Sequence, residues 1–101
     1  MAKAKIKTLT WDTAATLRDD ADIAAYLDAV LAENDPALQA HALGVAARAK
    51  GMGDIAKRAG VGRESLYKSL SRDGNPSFAT VQKVLQALGV RLRAAQPSTI
   101  R

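Results

Sequence analysis

The 101-residue sequence has no cysteine, one histidine and only four aromatic residues. The lack of cysteine excludes a disulfide framework, a thiol nucleophile and metal sites held by thiolates. The single histidine, His41, cannot alone build a histidine-rich metal site, and no nucleophile–base pair is apparent. We therefore expect no metal, no cofactor and no enzymatic activity. No apolar run approaches the ~20 residues that span a bilayer, and the N-terminus lacks the apolar core of a signal peptide, so we expect a cytoplasmic protein.

The sequence is rich in alanine and in positive charge. Its apolar fraction of 48% is typical of a folded domain. Small side chains favour closely packed helices over a β-sandwich, so the composition predicts an all-α fold. Lys and Arg number 15 against 10 Asp and Glu, a net charge of +5. This balance makes nucleic acid, an anionic membrane surface or an acidic protein the leading classes of partner.

Apolar side chains in the first third of the chain recur at helical spacing. The members of this stripe are Ile23, Tyr26, Leu27, Val30 and Leu31. Asp19 or Asp20 can cap the helix at its start. The helix should end at Asn34-Asp35, because Pro36 disfavours the α conformation in the residue before it.

The rest of the chain predicts four more helices and a short strand. The helices are expected from the cap Asp35 to Gly51, at residues 52–60, at residues 63–70, and from the cap Ser77 to Gly89. Val90–Ala94 alternates like an edge strand. We expect residues 1–18 to form an N-terminal arm, residues 19–94 a helical domain and residues 95–101 a tail.

Two short helices joined by a glycine turn are typical of a helix-turn-helix, here at residues 52–70. Such a unit needs a small residue at its fifth position, a left-handed backbone at its ninth and an apolar residue at its fifteenth. The residues at these positions are Ala56, Gly60 and Leu66. The eighteenth position, usually apolar, is Ser69, and Leu70 is expected to pack in its place. The alternative is an ordinary helical hairpin within a small bundle.

Charge is divided into three unlike parts. Residues 1–7 carry +3, residues 8–36 carry −6, and residues 37–101 carry +8 from eleven basic and three acidic side chains. The most basic part contains the predicted helix-turn-helix, which is the electrostatic pattern of a module that binds duplex DNA.

The second short helix is expected to carry the base contacts. With Leu66 and Leu70 facing inward, a step of about 100° per residue turns Glu64 and Lys68 outward. Arg63 lies in the first turn, from which it can reach guanine O6 and N7. The predicted DNA-binding residues are Gly53, Lys57, Gly62, Arg63, Glu64, Ser65, Tyr67, Lys68 and Arg72. Lys57 and Arg72, together with Arg58, are candidate phosphate contacts, as are the backbone N–H groups of Gly53 and Gly62. The charged members can equally be ordinary solvated side chains.

Together these motifs resemble the Xre/Cro-type addiction-module antidote proteins. The similar stretches are ALGVAARAKGM at 42–52, IAKRAGVGRESLYKSL at 55–70, DGNPSF at 73–78 and VLQALGV at 84–90, and Trp11-Asp12 and Tyr26-Leu27 fit the same family. The resemblance covers roughly residues 7–93 and implies a five-helix Xre/Cro-like helix-turn-helix domain with an N-terminal arm and a short C-terminal edge strand.

The resemblance also implies a function. It implies an antitoxin of a type II toxin–antitoxin module, which neutralises a RelE/ParE-like toxin by direct contact and represses its own operon, usually as a dimer. Met52 stands where many Xre/Cro domains have glutamine, and Gly62 where serine is frequent. At these two positions the resemblance therefore implies backbone contacts to phosphate without the side-chain contacts of the family.

A basic toxin should prefer the acidic segment. The candidate toxin-binding residues are Trp11, Asp12, Asp19, Asp20, Asp22 and Asp28. Trp11 is suited to anchor an interface, because aromatic side chains dominate interface hot spots. Equally, Trp11 can be a core residue that holds the N-terminal arm on the domain.

A homodimer is expected to pair Val90–Ala94 with its mate across a two-fold axis, with Val84 or Leu88 of the last helix contributing. Two recognition helices would then enter successive major grooves about 34 Å apart, which predicts a palindromic operator. No membrane is expected as a partner.

Two other functions are compatible with the same motifs. One is a phage-type helix-turn-helix transcriptional regulator without a toxin partner. The other is a protein-binding module whose helix-turn-helix no longer binds DNA. A neighbouring reading frame for a small basic protein would favour the antitoxin over the regulator, and binding to its own promoter would exclude the protein-binding module.

Overall fold

The computed structural model describes residues 16–71 and 73–96. This part of the chain contains five α-helices, numbered here in chain order: α1 (Asp20–Leu31), α2 (Pro36–Lys50), α3 (Met52–Ala59), α4 (Arg63–Ser69) and α5 (Phe78–Leu88). The same residues form no β-strand. The predictions of an all-α fold and of five helices are confirmed.

Local side-chain chemistry sets the start of three helices. In each case an acidic or hydroxyl side chain accepts a hydrogen bond from the amide three residues ahead, which satisfies one of the N–H groups that a helix leaves without a partner. These bonds join Asp19 to Asp22 (2.9 Å), Asp35 to Leu38 (3.1 Å) and Ser77 to Thr80 (3.1 Å). The caps of α1, α2 and α5 are thus those expected from the sequence.

The first helix ends earlier than predicted, at Leu31 rather than at Asn34-Asp35. The amide of Glu33 donates to the carbonyl of Val30 at 2.9 Å, which tightens the chain into a turn directly after the helix. The Gln39 side chain donates to the carbonyl of Glu33 at 2.8 Å and holds this turn against the start of α2. The chain therefore reverses before Pro36 is reached.

The third helix lies at the centre of the fold, where it packs against α2, α4 and α5, while α1 packs against α2. The largest fully buried side chains are Ile23, Val30, Ile55, Leu66, Val84 and Leu88. Helix α2 contributes mainly small side chains to this core: Ala42, Ala46 and Ala47, all with no exposed surface. The alanine-rich composition thus allows the helices to approach closely.

Gly44 marks the closest of these approaches. A Cβ atom at this position would lie 2.8 Å from the carbonyl oxygen of Leu70, closer than real contacts allow. Because the obstructing atom belongs to the backbone, a side chain at Gly44 would push α2 away from the end of α4. The sequence pattern does not indicate this role, because Gly44 stands within an otherwise regular helix.

The segment after α5 differs from prediction. Val90–Ala94 is described, but it adopts no strand conformation, since no other described residue forms a strand with which it pairs. The predicted edge strand is not confirmed. Val84 and Leu88 have no exposed surface, so the expectation that they contribute to a dimer interface is wrong. They face inward because α5 packs its apolar side against α3 and α2.

Candidate nucleic-acid interface

Helices α3 and α4 are joined by a tight turn. Gly60 has the left-handed backbone that the sequence predicted, with φ 72° and ψ 32°. The amide of Val61 then donates to the carbonyl of Ala56 at 3.0 Å, and Val61 packs against the core. Ala56 is 2% exposed and Leu66 1% exposed, so the small and apolar side chains lie where the two helices meet. This turn fixes which side of α4 is presented to solvent.

The outward side of α4 carries the residues predicted to contact DNA. Those exposed are Arg63, Glu64, Ser65, Tyr67 and Lys68. Leu66 and Leu70 are buried, and Ser69 is only partly buried, so Leu70 takes the packing role as predicted. In the described part of the chain neither Arg63 nor Lys68 forms an ion pair. Their charges are therefore presented to solvent rather than neutralised within the fold.

The two basic residues of α3 differ in what they contact. Arg58 forms an ion pair with Asp54 at 3.4 Å, and its Nη1 donates to the carbonyl of Ala87 at 3.5 Å. Arg58 thereby links α3 to the end of α5. Lys57 beside it is exposed and forms no ion pair with any described residue, which makes it the better phosphate candidate of the two. Arg72 lies outside the described residues.

The N-termini of α3 and α4 both begin without a side-chain cap. The preceding residues are Gly51 and Gly62, which have no side chain with which to satisfy the first amides. Gly53 lies in the first turn of α3, exposed, with open space around the position of a Cβ. Uncapped amides at a helix start favour an anion such as phosphate, which agrees with the predicted backbone contacts of Gly53 and Gly62.

Sequence reasoning missed one basic residue beside α4. The guanidinium carbon of Arg48, on α2, lies 5.6 Å from the centre of the Tyr67 ring, a cation–π distance. The sequence pattern does not single out Arg48, because its neighbour Tyr67 lies on another helix and the two meet only after α2 and α4 have packed.

The acidic residues of α1 are largely engaged within the fold. Asp19 caps the helix, Asp22 accepts a hydrogen bond from the amide of Arg18 at 3.0 Å, and Asp20 forms an ion pair with Lys50 at 2.7 Å. Asp28 is exposed and forms no ion pair with a described residue. The other two predicted toxin contacts, Trp11 and Asp12, lie outside the described residues.

Asp28 borders an open groove between α1 and the segment after α5. Its walls include the exposed side chains of Leu31 and Leu92, and Arg91 and Arg93 lie opposite the acidic helix. The groove therefore has acidic, apolar and basic parts side by side.

Tyr26 is the other notable polar group of α1. Its hydroxyl is buried and has no hydrogen-bond partner among the described residues. Burial raises the pKa of Tyr26 to about 12, because the phenolate would lose its hydration. The ring packs against the core, so Tyr26 serves the attachment of α1 to the domain.

The family comparison decides the identity of the chain. The sequence model of a family described as "Probable addiction module antidote protein" matches residues 7–96. The chain belongs to this family. An uncharacterised protein of Haemophilus influenzae (strain Rd) is 45% identical to it over 86 residues, which cover 85% of this chain and 89% of the relative. No solved structure shows a significant match.

Membership of the antidote family confirms the resemblance seen in the sequence. An antidote implies a toxin as partner in general terms, and antidotes are typically not enzymes. Among the described residues no helix is both long and apolar enough to cross a membrane.

Proposed function

We propose that this antidote is the DNA-binding antitoxin of a type II toxin–antitoxin module, which neutralises a RelE/ParE-like toxin and represses its own operon. One observation carries the proposal. A protein of the antidote family presents on α4 a row of exposed polar and basic side chains without ion-pair partners in the described chain. In this proposal residues 1–18 form an arm, residues 19–94 the DNA-binding domain and residues 95–101 a tail.

Helix α4 acts as the recognition helix in this proposal. Arg63 and Glu64 lie in its first turn, where recognition helices meet base edges, and Lys68 lies one turn further on the same side. Leu66 and Leu70 hold the opposite side against the core. Arg63 suits guanine, and Glu64 either accepts from cytosine N4 or orients Arg63.

Phosphate contacts would come from residues around this helix. The candidates are Lys57, Gly53, Gly62, Ser65 and Arg72. The net charge of +8 over residues 37–101 supplies the long-range attraction to duplex DNA. Association would therefore weaken steeply as salt concentration rises.

Binding to a duplex from the promoter region of the chain's own gene tests the DNA part. We expect a logarithmic salt dependence with a slope near −0.9 per phosphate contact and tighter binding to the promoter than to a scrambled duplex. Lack of binding to either duplex would contradict the proposal and would favour a protein-binding module.

The toxin would bind the acidic segment of residues 8–36. Trp11, Asp12 and the exposed Asp28 are the leading contacts, because Asp19, Asp20 and Asp22 already have partners within the fold. The product of the neighbouring gene is the partner to test. We expect Trp11→Ala to weaken its binding while thermal stability is unchanged. Undiminished affinity would remove Trp11 from the interface, and a neighbouring product that does not bind at all would favour the toxin-free regulator.

A homodimer completes the proposal. The segment Val90–Ala94 has no strand to pair with among the described residues and exposes Leu92, so it is available to pair with its copy across a two-fold axis. A two-fold interface requires a self-complementary surface, which this arrangement supports. A dimer would read a palindromic operator. Sedimentation as a monomer at high concentration would contradict it.

A further inference from the structure

Helix α2 presents one face to α4. Gly44 lies against the carbonyl of Leu70, close enough that a Cβ would not fit without displacement. Arg48 follows four residues later, one helical turn along the same face. Its guanidinium lies over the ring of Tyr67, which is on α4. The close approach at Gly44 thus brings Arg48 to the edge of the surface that α4 presents to solvent.

Arg48 is exposed and has no acidic partner among the described residues. The guanidinium of Arg48 contacts the Tyr67 ring and not a carboxylate. The contact with an aromatic ring limits the conformations of the arginine side chain, and the guanidinium of Arg48 donates no hydrogen bond to a described residue. Arg48 is therefore both oriented and able to bind an anion.

The surroundings of this pair favour an anion. Arg48 and Tyr67 border a cleft of about 170 Å³ between α2 and α4, which His41, Ser71 and Leu70 also line. No acidic side chain is among the described residues that line it. Tyr67 lies four residues after Arg63, so the cleft continues the exposed row of α4 toward α2.

We propose that Arg48 binds a DNA backbone phosphate beside the recognition helix and that Tyr67 is a positioning residue that holds it. This inference rests on the proposed function, in which α4 enters duplex DNA. It changes the role expected for Tyr67, which acts here through Arg48 and not by contacting the DNA itself. It also extends the interface to α2, which the sequence did not include.

Salt-dependent binding of five single variants and one double variant to the promoter duplex and to a scrambled duplex tests the inference. Arg48→Gln should make the slope of log affinity against log salt shallower by about 0.9 and weaken binding to both duplexes by the same factor, because a phosphate contact carries no sequence information. Lys83→Gln is the matched control, since it removes one exposed positive charge from α5, which packs against α3 and α2. Lys83→Gln should change the slope of log affinity against log salt less than Arg48→Gln does.

Two substitutions of Tyr67 test its positioning role separately. Tyr67→Phe keeps the ring and should bind DNA like the wild type. Tyr67→Leu should weaken binding, and it should add little to the loss in Arg48→Gln, because it acts through the same contact.

Arg48→Lys keeps the charge and should retain the wild-type slope with weaker binding.

Two outcomes would overturn the inference while the proposed function stands. One is an Arg48→Gln variant, folded by thermal melting, whose slope equals that of the wild type or of Lys83→Gln. The other is a full additional loss when Tyr67→Leu is combined with Arg48→Gln. Failure of the wild type to bind either duplex would instead overturn the proposed function itself.

Discussion

The acidic helix α1 and the proposed recognition helix α4 carry charges of opposite sign, but they use them differently. Three of the four described acidic candidates near α1 have partners in the fold: Asp19 as a cap, Asp22 through the Arg18 amide and Asp20 through Lys50. On α4, Arg63 and Lys68 have no ion-pair partner among the described residues. The acidic side chains of α1 are thus mostly engaged within the fold, whereas the two basic side chains of α4 are available to a partner.

The two helices also differ in how they are attached. Helix α1 packs mainly against α2, and its buried side chains are Ile23, Leu27 and Val30, whereas α4 packs mainly against the central helix α3. A destabilising substitution in α3 should therefore affect the surface of α4 that is proposed to bind DNA more directly than it affects α1. The following variants are designed to separate the two regions or to show that they are coupled.

The largest effect is expected from Ile55→Ala. Ile55 is fully buried on α3, so this truncation should lower the free energy of unfolding by about 2–5 kcal/mol, through lost burial and a residual cavity. Chemical denaturation measures the loss, and Ile55→Val, expected at about 0.5–1.5 kcal/mol, is the control. DNA binding should fall in parallel with the folded fraction. A stable Ile55→Ala protein would contradict the central position assigned to α3.

A smaller but more selective effect is expected from Arg63→Ala. Loss of a base contact should weaken promoter binding by about 1–3 kcal/mol and relax its specificity, while affinity for the neighbouring toxin is unchanged. Asp28→Asn is the reciprocal variant and should weaken only toxin binding. Both residues are exposed, so neither change should alter thermal stability. If either variant reduced both affinities equally, the assignment of two partners to two regions would be wrong.

Most of the fold could be predicted because local chemistry determines it. Asp19, Asp35 and Ser77 each interact with an amide three residues away, and Gly60 adopts its left-handed backbone within a single turn. The contacts that were missed join distant parts of the chain. Gly44 and Leu70 are adjacent only after α2 and α4 have packed, as are Arg48 and Tyr67. Likewise, the sequence pattern of Val90–Ala94 suits a strand but does not supply one to pair with.

Tyr26→Phe tests the attachment of α1. Removing a buried hydroxyl that has no partner in the described chain should be neutral or stabilise the fold by up to about 1 kcal/mol. The pKa of Tyr26 is raised to about 12 in the folded state from 10.0, so the wild type should lose stability as pH rises from 10 toward 12. The phenylalanine variant lacks that group, and its stability advantage should widen over the same pH range. A constant difference measured by urea denaturation would show that the Tyr26 hydroxyl is solvated.

The smallest effect is expected from the ion pair that joins α1 to α2. Lys50 and Asp20 lie 2.7 Å apart and connect the start of α1 to the end of α2, next to the first turn of α3. Their side chains are 31% and 68% exposed, so water and salt screen the attraction.

A double-mutant cycle with Asp20→Asn and Lys50→Gln should give a coupling of 0 to about 1 kcal/mol that declines with salt. The exposed pair Arg58–Asp54, 3.4 Å apart within α3, is the matched control and should give about 0.3–0.5 kcal/mol. A coupling well above 1 kcal/mol that persists in high salt would contradict this expectation. In that case a basic toxin that binds Asp20 would break its ion pair with Lys50 and disturb the end of α2. The position of Arg48 beside the proposed recognition helix would then change as well. A coupling near zero leaves α1 attached by its apolar side chains, so that toxin and DNA can occupy their surfaces without electrostatic interference through this pair.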